Sequence, residues 1–188
     1  MLIEDYGLAL GKSFLFSLAT LLPILNPTAT APIFLSLTEG ASPGVREVLA
    51  ARIARNVFLL LFAAMLIGSV VLDFFGISLA IVRVGGGLLV VASAWRLLNS
   101  SDGGAERSAR LAEGFTVEMA NRRAFYPLTF PIACGPGSIA AAITVGVSLR
   151  DQNHVLSLLR LGGSIPGIIV VSVTLYICLR FAAQMLHR

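Results

Sequence analysis

Charged residues are scarce in this chain. Asp, Glu, Lys and Arg make up 13% of its 188 residues, roughly half the share of an average soluble domain. So few charges leave a water-facing surface uncovered, and a water-soluble enzyme is nearly excluded. Lysine is almost missing: Lys12 is the only one, and the other thirteen basic residues are arginines. These arginines sit mainly at the ends of apolar runs, with no basic stripe interleaved with aromatics. The net charge of +4 and the isoelectric point near 9.7 therefore do not indicate a nucleic-acid partner. Two cysteines, Cys134 and Cys178, lie inside apolar stretches, which argues against a disulfide framework. Two histidines, His154 in a short polar loop and His187 in the tail, have no second ligand at metal spacing, so neither a metal nor a cofactor is expected. No nucleophile and base pair is readable, and the expected protein is not an enzyme.

What the chain has instead is apolar length. Hydrophobic residues reach 56% and the mean hydropathy is +0.87, a surplus that must face lipid. Five runs approach the roughly 20 residues needed to cross a hydrocarbon core: Ser13 to Thr38, Asn56 to Phe75, Ile77 to Leu98, Ala124 to Leu149 and Leu161 to Leu179. Backbone groups find no water there, so the runs are expected to be helices. The expected fold is an all-α polytopic membrane bundle with the lipid bilayer as its constant partner. Residues 29 to 31, Ala-Thr-Ala, resemble a signal cleavage site, but Glu4 and Asp5 precede them and Pro32 follows the cut. The segment is expected to stay in the mature protein.

A polar stretch opening Asn-Ser-Ser-Asp-Gly-Gly divides the chain. The expected organisation is a first unit of three spans over 1–98, a loop over 99–123 with a short amphipathic turn near 107–119, and a second unit of two spans over 124–188. Ten arginines fall on the side of that loop, among them Arg46, Arg52, Arg55, Arg122, Arg123 and Arg180. The opposite side holds Lys12, Arg150 and Arg160, with Arg83 nearby. The positive-inside rule then sets the N-terminus outside and the C-terminus in the cytoplasm.

The strongest signal is a duplication. Residues 23–32 read PILNPTATAP and residues 127–136 read PLTFPIACGP, so Pro23, Pro27 and Pro32 recur as Pro127, Pro131 and Pro136 at one displacement of 104. Three spans separate the two starts, an odd number, so the second copy enters from the opposite side. That is an inverted-topology repeat. Proline within a span removes a backbone donor and clashes with the preceding turn. Two broken helices are therefore expected, one at Asn26, Pro27, Thr28, Thr30 and Pro32, the other at Pro131, Gly135, Pro136, Gly137 and Ser138. Paired breaks from opposite sides mark a substrate site, and kinks of structural use alone are the competing reading.

Residues 25–27 (LNP) and 31–40 (APIFLSLTEG), with 75–78 (FGIS), 85–87 (GGG) and 131–139 (PIACGPGSI), resemble the MarC family of integral membrane proteins over about 10–180. The resemblance implies a bacterial inner-membrane protein of six helices in three plus three inverted halves, and transport of small neutral amino acids. Here the offset would put a sixth helix at 181–202, past the last residue, Arg188, which leaves five spans, and Thr28-Ala29-Thr30 stands where a glycine-containing step is more usual.

Among single residues, Arg83 is expected either to snorkel or pair with Asp73, or to hold a substrate carboxylate. Cys134 and the glycines at 85–87, 163 and 167 are expected to be packing residues. Helix N-termini after Pro32 and Pro136 would face the carboxylate, and carbonyls freed near Asn26 and Phe130 would take the ammonium. The competing function is a non-transporting membrane scaffold, and association with further copies stays open. A cysteine placed at Ser101 should resist an impermeant thiol reagent outside intact cells. Labelling above the background set by Cys134 and Cys178 would reverse the orientation.

Overall fold

The computed structural model describes residues 2–99 and 123–186, and the loop expected over 99–123 lies, but for its two end residues, outside them. The described residues form helices and no strand. In chain order these are α1 (Leu2–Leu25), α2 (Pro27–Leu37), α3 (Pro43–Phe74), α4 (Leu79–Asn99), an irregular segment α5 (Ala124–Ala133), α6 (Pro136–Ser148), α7 (His154–Arg180) and a short α8 (Ala182–Leu186).

Three stretches among the described residues are long and apolar enough to cross a membrane: Tyr6–Leu37, which is α1 running on into α2, together with Pro43–Phe74 and His154–Arg180. The pair α5 and α6, bent by 71°, supplies a fourth when taken as one broken span. Two helices start earlier than their apolar runs suggested. Ser42 accepts a hydrogen bond from the Val45 N–H at 3.4 Å, with Pro43 in the first turn. Asn153 accepts from Val155 and Leu156 at 3.0 and 3.4 Å. Capped in this way, α3 and α7 carry polar first turns that hydropathy alone reads as loop. Pro166 stays inside α7 without ending it.

Polarity is arranged inside out. Large apolar side chains point outward on every long helix, including Leu15, Leu59, Val70, Leu88 and Leu158. Ser13, Ser17, Ser138, Ser164 and Ser172 are buried between helices. Several buried hydroxyls donate back to their own helix, as Ser17 does to the Ser13 carbonyl at 2.8 Å and Thr38 to the Phe34 carbonyl at 2.7 Å. A hydroxyl satisfied within its own helix can be buried at little cost.

Small residues set how closely helices approach. A Cβ added at Gly163 would lie 2.6 Å from the Leu10 carbonyl oxygen, and one at Gly167 would lie 3.0 Å from the Phe14 carbonyl oxygen. Four residues apart, these two glycines seat α7 on the backbone of α1. A Cβ at Gly146 of α6 would overlap the Met65 carbonyl of α3, and one at Gly68 would overlap the Ile143 side chain. Gly86 faces Ala140 and Gly137 at 3.4 and 3.7 Å, whereas Gly85 and Gly87 face open space. Of the three consecutive glycines, one alone does the packing expected of all.

Arginines close one end of the bundle. Arg46 donates from Nε and Nη2 to the Thr38 carbonyl at 3.3 and 3.1 Å, placing a cation at the C-terminus of α2. Arg180 pairs with Glu47 at 2.8 Å, tying the end of α7 to the start of α3. At the opposite end Arg160 pairs with Asp151 at 3.1 Å.

Gly146→Val and Gly163→Val should each lower stability in detergent by about 1–3 kcal/mol, because a side chain there meets backbone that cannot yield. Gly162→Ala, which meets nothing within 4 Å, should unfold at the wild-type temperature.

Candidate functional site

The two proline motifs fold very differently. In the first, the irregularity is one residue: Asn26 takes φ 43° and ψ 66° between α1 and α2. Its Oδ1 accepts from the Ala29 N–H at 3.4 Å and the Thr28 hydroxyl at 3.0 Å. Asparagine tolerates the left-handed region and caps well, which is why this position can hold both roles. The Asn26 carbonyl accepts from the Ala29 and Thr30 N–H groups, both at 3.1 Å, and from the Thr30 hydroxyl at 3.1 Å. It is therefore not free to take an ammonium group, contrary to the expectation for an unwound stretch. The helix restarts at Pro27, so the positive end lies there and not after Pro32, which is inside α2 and exposed.

In the second motif the break is long. Tyr126 and Phe130 are extended, at φ −118°, ψ 124° and φ −114°, ψ 125°, and Gly135 is extended at φ −81°, ψ 178°. Each precedes a proline, Pro127, Pro131 or Pro136, whose ring disfavours helical geometry in the residue before it. The interruption thus runs from Tyr126 to Gly135, and α6 leaves it at 71°.

Thr129 is the polar centre of this break. It is fully buried, donates its hydroxyl to the Ala124 carbonyl at 2.6 Å, and accepts from Asn56 Nδ2 at 3.3 Å. Its carbonyl accepts from the Cys134 N–H at 2.8 Å. Sequence reasoning missed both Asn56 and Thr129. Asn56 had marked only the start of a span, and its half-buried place within α3 became readable once that helix was seen to begin at Pro43. Cys134 is fully buried, in line with a packing role.

The breaks fall at matching distances along their helices. Ser13 of α1 and Ser148 of α6 line one cleft at one end of the bundle, and α1 packs on α6 while α2 packs on α5. Thirteen residues along α1 from Ser13 is Asn26, and thirteen back along α6 from Ser148 is Gly135. At ~1.5 Å per residue both stand roughly 20 Å from that end. Ser138, one turn further into α6, is buried, and neither its hydroxyl nor Asn26 Nδ2 makes a hydrogen bond among the described residues. Pro131 is exposed, and Gly135, Pro136 and Gly137 are half-buried.

Arg83 is not brought to the breaks. Its Nε donates to the Thr144 hydroxyl at 3.0 Å, and Thr144 is eight residues past Pro136, ~12 Å along α6. Asp73 lines a different cavity with Ser69 and Arg150. Among the described residues no three of His, Cys, Asp or Glu gather as a metal-ligand set.

Apolar outer faces, buried small polar residues and a span interrupted at mid-depth define a polytopic helical membrane protein. The chain belongs to the MarC family of integral membrane proteins, whose family model matches residues 11–188. It is 38% identical over 144 residues to a UPF0056 membrane protein of Archaeoglobus fulgidus, covering 74% of this chain and 63% of the relative. It is 30% identical over 135 residues to the UPF0056 membrane protein YvbG of Bacillus subtilis, covering 72% and 64%. To the UPF0056 inner membrane protein MarC of Escherichia coli it is 31% identical over 148 residues, covering 78% and 67%. The match thus spans a little under two thirds of the first two relatives' length. No solved structure matches.

If Asn26 holds the left-handed position, Asn26→Gly should fold and lose only the cap, while Asn26→Leu should cost a further ~1–2 kcal/mol in thermal unfolding. Equal losses would place the value of Asn26 in its cap alone.

Proposed function

We propose that this protein is a secondary transporter of small neutral amino acids in the bacterial inner membrane, working by alternating access between two inverted repeats. The carrying observation is that Asn26 and Gly135, in the breaks of two proline motifs 104 residues apart, fall the same number of residues from one cleft at the end of the bundle, with Asn26 Nδ2 and the Ser138 hydroxyl unengaged among the described residues. The inverted pairing is further supported by the packing: α3 lies on α5 and α6 much as α7 lies on α1 and α2, and α4 lies on α6 as α8 lies on α2. The offset assigns the counterpart of α4 to the residues where α8 begins.

In this reading a zwitterion lies between the breaks. Its carboxylate meets the first turn of α6, at the Gly137 N–H and Ser138 hydroxyl, where the helix dipole is positive. Asn26 Nδ2 approaches from the other side. The ammonium falls to carbonyls of the extended stretch around Phe130, since those of Asn26 are occupied. Pro27, Thr28 and Thr30 shape the first wall, and Pro131 and Pro136 the second. The N-terminus outside and the C-terminus in the cytoplasm follow from the arginine bias. A non-transporting scaffold is the second reading, favoured by the way Asn26, Thr28 and Thr30 close the first break on themselves.

Uptake of radiolabelled alanine or serine into proteoliposomes tests the reading. Wild type should accumulate label, and Asn26→Leu or Ser138→Leu should abolish uptake while membrane insertion is kept. Insertion without uptake in the wild type favours the scaffold.

A further inference from the structure

Lys12 and Arg160, two of the few cations on the arginine-poor side, meet in one open cleft of about 610 Å³ between α1, the end of α6 and the start of α7. The walls beside them are apolar, with Leu8, Phe16 and Leu156, and Ser148 adds a hydroxyl at the rim. Each cation stands one residue before an apolar run, Lys12 before Ser13 and Arg160 before Leu161. That position belongs to the boundary of headgroup and acyl chain, which long cationic side chains reach by snorkelling. Arg160 is paired with Asp151 at 3.1 Å, and Lys12 makes no ion pair or hydrogen bond among the described residues. The three groups together carry one positive charge.

We propose that this cleft binds one anionic phospholipid, with its phosphate on Lys12 and Arg160 and its acyl chains along the apolar walls. The charge is complementary to a headgroup of charge −1, and apolar walls open to the membrane fit lipid chains, for which a water-borne anion has no use. The site is separate from the breaks, which lie roughly 20 Å deeper, and does not depend on the transport reading.

The full chain, purified in neutral detergent, is titrated with dioleoyl phosphatidylglycerol, dioleoyl phosphatidylcholine or inorganic phosphate, with thermal unfolding and native mass spectrometry as readouts. Phosphatidylglycerol should raise the unfolding midpoint and persist as a single adduct, and phosphatidylcholine should do neither. Lys12→Gln should bind phosphatidylglycerol about fivefold more weakly, the loss of one cation near a headgroup, and Lys12→Arg should restore binding. Equal effects of the two lipids, or unchanged binding in Lys12→Gln, would overturn the proposal. Stabilisation by phosphate equal to that by phosphatidylglycerol would also overturn it, in favour of a soluble-anion site. Should Lys12→Gln fail to fold, salt decides on the wild type: the preference for phosphatidylglycerol must shrink between about 50 and 500 mM, and a preference that does not shrink refutes the ionic contact.

Discussion

Hydrocarbon offers no hydrogen-bond partner, and the rest of this structure follows from where that constraint is met. Along most of α1, α3 and α7 the helix meets it alone. At the second proline motif it cannot, because three prolines each turn the preceding residue out of helical geometry. Thr129 takes over: its hydroxyl donates to the Ala124 carbonyl, and the Asn56 amide donates in turn to that hydroxyl. Thr129 is fully buried and Asn56 half-buried against it, since an unpaired amide in lipid would cost several kcal/mol. Part of the irregular backbone, at Leu128, Thr129 and Ala133, is thus buried in the face that packs on α3.

The same constraint explains why glycine and serine fill the interior. Lipid tails are as apolar as leucine, so burying leucine between helices gains little over leaving it outside. Close backbone approach gains dispersion instead, and Gly146, Gly163 and Gly167 permit it where any Cβ would collide with a carbonyl. Ser69 and Ser172, like Ser138, have hydroxyls without a partner among the described residues. Ser164 has turned to the Met65 sulfur at 3.1 Å as well as to its own helix.

Much of this could be read from sequence. Apolar run length located four of the five expected spans, and the run at Ile77 to Leu98 forms a helix that, in its described residues, is not among those long and apolar enough to cross. The offset of 104 found both breaks, because proline acts on its own backbone and its neighbour's whatever the fold. The packing glycines at 163 and 167 were legible from their spacing. What could not be read was the inequality of the breaks. Asn26 closes the first through its own side chain and through Thr28 and Thr30, a set of local hydrogen bonds that residue types permit without dictating. The second stays open because Gly135-Pro136-Gly137 offers no comparable acceptor side chain. Arg83 was equally ambiguous: its reach from α4 covers many positions, and only packing through Gly86 brings it to Thr144 rather than to the break. Asn56 was hidden for a different reason, since a polar residue next to an apolar run reads as a boundary until the cap at Ser42 is known.

The glycine contacts also bear on how such a bundle could move. The closest approaches cross between the two sequence halves: α7 on α1 through Gly163 and Gly167, and α6 on α3 through Gly146 and Gly68, with α4 joined to α6 at Gly86. A motion that separated residues 1–98 from 124–186 as rigid halves would have to part every one of them. A motion that keeps them carries α1 with α7 and α3 with α4 and α6. Its seam then runs between α3 and α7, where Ser164 meets Met65 and where a groove of about 500 Å³ opens beside Ala54, Phe58 and Ser172. Asn26 and Gly135 fall on opposite bodies across such a seam, one on the α1 side and one at the start of α6. Each proline break is therefore placed where such a movement would change the distance between them, while the glycine contacts within each body are kept.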